Sequence, residues 1–210
     1  MRHGFRSDDS TDGRGAVLVK HFMQLGAGVD VLPLLLAIQR RPELWQSDDF
    51  LRRYPQGPFG EVETIFLRFP ERHVLSDEDV ELYKQNKLPG FDQHECVDYP
   101  AYKTLHEARP LVMNLMARVQ GERLGRVMIN KINPGGRIYP HEDTAAHANY
   151  YSRFHIVLQS APGSDFRCMD EHVNMRQGEV WYFNNKLEHE VVNNSAISRI
   201  HMIVDVKCSL

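Results

Sequence analysis

Tyr139-Pro140-His141-Glu142-Asp143 decides how this chain is read, together with Leu187-Glu188-His189-Glu190-Val191 and Ile197-Ser198-Arg199-Ile200-His201. In extended chain, residues two apart project to the same side, so His141 and Asp143 reach one point while Glu142 faces away. His189 follows after enough chain for several strands to intervene and bring it back. His-x-Asp with a distant second histidine is the pattern of a 2-His-1-carboxylate facial triad. Such a site holds non-haem Fe(II) on one face and leaves the opposite positions open for two further reactants. Structural zinc would instead close its shell with four protein ligands. Alone, His-x-Asp is a weak signal in a chain with 11 histidines. Asp143 also has a second reading, as a residue just behind the ligands, if the chain leaves strand geometry after His141.

Arg199 strengthens the pattern. By strand alternation it shares a face with His201, Ile203 and Asp205, while Ile200, Met202, Val204 and Val206 form an apolar face. A guanidinium inside so apolar a strand is costly unless paired, and a bound dicarboxylate is one natural partner. Its planar fork suits a carboxylate and its charge does not titrate away. A structural salt bridge to an internal Asp or Glu is the alternative. Arg153 and His155 repeat the logic opposite Phe154, Ile156 and Leu158, as groups able to meet the cosubstrate's other carboxylate. For His155 the bland reading, a core imidazole satisfied by a carbonyl, is the stronger on strand evidence alone.

Outward from these motifs the grammar is of strands and tight turns. After Gly125, strands are predicted over 127–132, 151–159, 166–169, 179–183, 190–193 and 197–206, separated by turns such as Asn133-Pro134-Gly135-Gly136. Many short strands argue for an antiparallel sandwich or jelly roll, of which the cupin type opens at one end over a metal. Upstream, residues 31–39 read as a short helix with Asp30 as N-cap, 62–69 as a strand, and 71–100 as irregular with a helical turn after Ser76. Residues 102–123 read as an amphipathic helix with Pro110 as a kink or restart. His147, Asn149 and Tyr150 follow the His-x-Asp corner, where they could touch substrate or belong to a solvated loop. The predicted organisation is a disordered tail over 1–15, a helical and mixed portion over 16–124 packing on the core, and a β core over 125–210.

The whole chain bounds the function. Its 210 residues suit one domain or a catalytic domain with a helical addition. A net charge of −3 from 25 basic and 28 acidic residues gives no reason to expect nucleic acid. Cys96, Cys168 and Cys208 are odd in number and lack C-x-x-C spacing, which fits reduced thiols in a cytoplasm better than disulfides. There is no apolar h-region near Met1 and no apolar run long enough to span a bilayer.

The run from Asn133 to Val206 resembles the catalytic domain of aspartyl/asparaginyl β-hydroxylases. The resemblance rests on Pro140-His141, Arg153-Phe154-His155-Ile156-Val157-Leu158, Gly178-Glu179-Val180-Trp181-Tyr182-Phe183, Glu188-His189-Glu190-Val191, Ser198-Arg199 and Ile203-Val204-Asp205-Val206. It implies a mainly β fold with flanking helices, namely a double-stranded β-helix, or cupin-like jelly roll, with a helical N-terminal portion. It also implies Fe(II), 2-oxoglutarate as cosubstrate, O2, and hydroxylation of an unactivated C–H bond with release of succinate and CO2. Carried over by residue, His141 and His189 become iron ligands, Arg199 binds the distal carboxylate of 2-oxoglutarate, and Arg153 and His155 lie near its 1-carboxylate. The best-known animal members have glycine where this chain has Asp143, so Asp143 restores the ordinary triad. Residues 1–110 show no such likeness, and the substrate is left open as amino-acid-like, peptidyl or another small molecule. The competing classes are a cupin-like module that binds metal or ligand without redox chemistry, and a different metal-dependent enzyme on the same jelly roll.

Overall fold

A computed structural model describes residues 21–53, 57–71 and 76–208, so the tail predicted over 1–15 lies outside it. The strands are β1 (Phe22–Gly26), β2 (Val62–Phe69), β3 (Val97–Asp98), β4 (Gly121–Ile132), β5 (Arg137–His141) and β6 (Ser152–Gln159). They continue as β7 (Ser164–Cys168), β8 (Glu171–Val173), β9 (Val180–Phe183), β10 (His189–Asn193) and β11 (Arg199–Cys208). The helices are α1 (Leu32–Gln39), α2 (Asp77–Lys84), α3 (Pro100–Thr104), α4 (Ala108–Arg118) and α5 (Ala145–Tyr150), with 3-10 turns at Pro42–Gln46 and Phe50–Arg53.

Two antiparallel sheets result, a large one in the order β1-β9-β6-β11-β4-β2-β3 and a small one in the order β5-β10-β7-β8. Between them, Ile132, Val157 and Phe183 of the large sheet meet Ile138, Phe166 and Val191 of the small one in a shared apolar core. The outer face of the large sheet carries a second core, where Leu34, Leu35 and Ile38 of α1 and Leu111, Val112 and Leu115 of α4 cover Ile129, Ile156, Met202 and Val204. A helix of eight residues such as α1 is unstable alone, so it exists because this packing holds it. Each fully buried leucine or isoleucine contributes about 1.5–3 kcal/mol. The whole is a double-stranded β-helix with minor helices. The large sheet crosses the 124/125 boundary, because β1, β2 and β3 pair into it from the N-terminal side.

Several local readings are corrected. The helix predicted over 102–123 is two helices and the start of a strand. The break falls at residues 105–107, ahead of Pro110. That proline occupies the first turn of α4, where its missing N–H costs nothing. The chain then turns at Gln120, with φ of 51°, and enters β4 at Gly121. Gly121 is required by space, since a Cβ there would lie 2.6 Å from Val206 Cγ1. The cap of α1 is Val31, and the Asp30 carboxylate accepts from the Leu32 N–H instead. The helical turn after Ser76 is a full α2, closed by a capping box between Ser76 and Asp79. The predicted loop after Asp143 contains α5, which buries His147. Among the described residues no helix is long and apolar enough to cross a membrane.

Candidate metal and cosubstrate site

His141 ends β5, His189 begins β10, and the two are direct partners across the small sheet. Each ring is set by its own strand, because His141 Nδ1–H donates to Tyr139 O and His189 Nδ1–H to Leu187 O, both at 2.8 Å. That fixes the tautomer and turns both Nε2 atoms away from the backbone. The edge of Phe59 packs on His141 at 4.8 Å between ring centroids, and Phe183 packs on His189 at 4.9 Å. The two imidazole centroids stand 4.3 Å apart.

Asp143 completes the cluster, although not as the alternation argument had it. β5 stops at His141, and Asp143 lies in the short link to α5. Its place is set by side-chain partners. Oδ2 accepts from Arg153 Nη1 at 2.7 Å and from Asn185 Nδ2 at 2.9 Å, while Oδ1 stands 4.0 Å from His141 Nε2. One ligand atom each from His141, Asp143 and His189 lies within 4.8 Å of the others. His141 Nε2 is buried with no partner. An unfilled imidazole nitrogen beside a half-free carboxylate fits a divalent ion with open positions better than a closed polar cluster.

The electrostatics agree. Burial lowers His141, and it pushes His189 down to about 4 with help from His141, so both rings are neutral ligand bases at neutral pH. Burial alone would raise Asp143, but Arg153, His189 and Asn185 hold it below the usual carboxylate range, and it stays ionised.

Arg153 is the largest revision. Its guanidinium is taken up by two carboxylates: Nη1 on Asp143, and Nε and Nη2 on Asp205 at 2.7 and 2.9 Å. Asp205 sits directly opposite Arg153 in the β6–β11 pairing and is wholly buried. His147 Nε2–H donates to the same Asp205 at 2.8 Å. Arg153 therefore presents a filled fork, at the place where the family resemblance put it near the 1-carboxylate of the cosubstrate. Burial would weaken its charge, but Asp143 and Asp205 raise its pKa further.

Arg199 is different. It is 2 % exposed on β11, its Nη2 has no partner, and no described carboxylate pairs with it; the Phe166 ring lies 5.6 Å away. Burial alone pulls it down to about 9. His155 and His201 flank this region as a buried pair, Nδ1 to Nδ1 at 3.2 Å, with both Nε2 atoms unpartnered. Burial and then the charge of Arg199 keep both well below their ordinary value, so they are neutral. Between two neutral rings one Nδ1 must donate and the other accept, so one Nε2 carries a hydrogen and the other does not.

All six residues singled out in the sequence line one cavity of about 430 Å3. Sequence reasoning did not give roles to Asn185 or Asp205, and it named His147 only as a residue that could touch substrate from a loop. Asp205 was visible on the polar face of β11, but its partner depended on the register.

A double-stranded β-helix of the cupin-like class here brings two imidazoles and a carboxylate together as a donor set that could hold a metal ion. The family model for aspartyl/asparaginyl beta-hydroxylase matches residues 79–208, and the chain belongs to that family. The human aspartyl/asparaginyl beta-hydroxylase is 28% identical over 116 residues, covering 55% of this chain and 14% of that protein. L-proline cis-3-hydroxylase 1 of a Streptomyces species is 29% identical over 112 residues, covering 51% and 38%. A solved 2OG-Fe(II) oxygenase family oxidoreductase from Burkholderia pseudomallei is 18% identical with a TM-score of 0.42, covering 54% of this chain and 59% of that one. The chain thus spans well under half the length of the first relatives it matches.

Proposed function

We propose that this chain is an Fe(II)- and 2-oxoglutarate-dependent dioxygenase that hydroxylates an unactivated C–H bond, releasing succinate and CO2. The observation that carries the reading is one cavity holding both a His-Asp-His cluster and a buried arginine without a carboxylate. His141, Asp143 and His189 would hold the iron, which when bound supplies the redox chemistry with 2-oxoglutarate and O2. Arg199 would bind the distal carboxylate of 2-oxoglutarate, in a place too buried for water to compete well. His155, paired with His201, would offer the Nε2 hydrogen to the same cosubstrate. Arg153 acts by holding Asp143 Oδ2 from behind, which leaves Oδ1 to the metal. The relatives' names include hydroxylases of aspartyl or asparaginyl residues and of L-proline, and an amino-acid-like or peptidyl substrate is the corresponding reading here.

The part of the chain before residue 125 would serve as the substrate-side wall, because Leu51, Pro58, Phe59, Phe69 and Lys84 line the cavity from there. Unpaired Cys96 and Cys168, both buried, suit a reducing cytoplasm.

The test is an anaerobic titration of metal-free protein with Fe(II) and 2-oxoglutarate, followed by the metal-to-ligand charge-transfer absorption. A saturating band in the wild-type chain, with 2-oxoglutarate binding weakened in Arg199→Ala, supports the reading. A folded wild-type chain that binds neither iron nor 2-oxoglutarate sinks it and leaves a binding module of another kind.

A further inference from the structure

The cavity contains a third arginine, Arg126, which the oxygenase reading does not use. Arg126 lies on β4, on the cavity side with Met128 and Asn130. Its guanidinium is 5.0 Å from the centre of the Phe69 ring, its Nε is buried with no partner, and no described carboxylate pairs with it. A partly desolvated guanidinium facing an aromatic ring calls for an anion.

His147 is the other unfilled group of this cavity. It is 1 % exposed and lines the same cavity, and its Nδ1 has no partner. Its Nε2 must carry the hydrogen, since the carboxylate of Asp205 only accepts. Burial first, and then the charge of Arg126, hold the ring down to about 4, so it is neutral and Nδ1 is a bare acceptor. Two unfilled groups of opposite hydrogen-bonding sense therefore line one cavity. The rest of this end of the cavity is apolar, with Leu51, Phe69, Met128 and Ile203.

We infer that Arg126 and His147 form a head-group subsite for a free amino acid with an apolar side chain, Arg126 taking its carboxylate and His147 Nδ1 an N–H of its amino group. Two arginines without carboxylates then match two acids, the cosubstrate at Arg199 and the substrate at Arg126. An internal residue of a peptide has no free α-carboxylate to offer Arg126, so the subsite selects the free acid. The inference rests on the proposed oxygenase reading for what is done to the substrate, and on Arg126 and His147 alone for how it binds.

The experiment is calorimetric titration of the full chain with each of the twenty free L-amino acids, with and without Fe(II) and 2-oxoglutarate under anaerobic conditions. L-leucine and L-leucinamide serve as the matched pair. The expected result is binding of one or more apolar acids, at least tenfold weaker binding of the amide, and at least tenfold loss in Arg126→Gln. The iron and 2-oxoglutarate band should be unchanged in that variant, and Arg126→Lys should bind within tenfold of wild type if Arg126→Gln misfolds. Absence of amino-acid binding by a chain that forms the band overturns the subsite and spares the oxygenase reading. Equal binding of acid and amide, or unchanged binding in Arg126→Gln, overturns it as well. Amino-acid binding through Arg126 in a chain that forms no band keeps the subsite and removes the oxygenase reading.

Discussion

Arg153 and Arg199 stand on neighbouring strands of one sheet, both buried and both lining one cavity, and their surroundings are opposite. Arg153 is clamped by Asp143 and Asp205, and its charge is reinforced. Arg199 has a ring and two neutral imidazoles near it, and its charge is weakened. The difference separates two uses of a buried cation. A filled guanidinium holds protein parts in place; a starved one is kept at a cost in stability that a ligand can repay.

The comparison breaks most sharply at Arg153. Arg153→Leu leaves Asp205 buried with no cationic partner and only the neutral His147 donating to it, and should destabilise the metal-free chain by about 3–5 kcal/mol. Urea unfolding reads this directly, and a loss below about 1 kcal/mol would mean the clamp is not structural. Arg199→Met should do the reverse. Metal-free stability should hold or rise, because a partnerless buried charge is replaced by an apolar side chain. 2-Oxoglutarate binding should weaken by roughly 2–3 kcal/mol, or about 30- to 150-fold. If unfolding shows Arg199→Met to be as damaging as Arg153→Leu, the two arginines are alike and the distinction fails.

His147 sharpens the picture through pH. Its folded value of about 4 lies below the ordinary 6.5, so the unfolded chain takes up the proton first as pH falls. Stability is therefore complete above about 6.5 and is lost progressively down to about 4. One such group contributes about 1.4 kcal/mol per pH unit in that window, or about 2 kcal/mol between pH 6.5 and 5. His147→Gln can still donate to Asp205 but does not titrate. Urea unfolding at pH 6.5 and 5 should show that much less dependence, beside what the other buried histidines contribute. An unchanged dependence would show that His147 is already charged in the folded chain. The smallest effect is expected at Asn185, whose Nδ2–H supports Asp143 Oδ2 beside the Arg153 clamp. Asn185→Ala should cost about 1 kcal/mol and weaken metal binding about tenfold or somewhat more, measured by Co(II) titration. Full retention of affinity would leave Arg153 as the sole support.

These outcomes bear on how far the chain was legible beforehand. Strand β2 and the turn at Asn133–Gly136 were readable because β-branched runs and Pro-Gly pairs act locally. β1 was missed because five residues at a sheet edge, FMQLG, carry little pattern of their own. α5 was missed for a related reason. Its six residues have no side-chain cap, and it is held by the burial of His147 and Ala148.

By itself, the sequence determined the jelly-roll class and nominated His141, Asp143, His189 and Arg199, because those signals lie in spacing and alternation along a single segment. Only the tertiary structure decided what surrounds them. The register of β6 against β11 sets Arg153 opposite Asp205, and its Nη1 also meets Asp143, contacts that alternation along β6 could not foretell. Arg199 lies opposite Ile132 of β4, and no described carboxylate pairs with it. Whether a buried charge is satisfied depends on which residue of a distant strand comes to lie beside it, and that is a property of pairing rather than of local sequence.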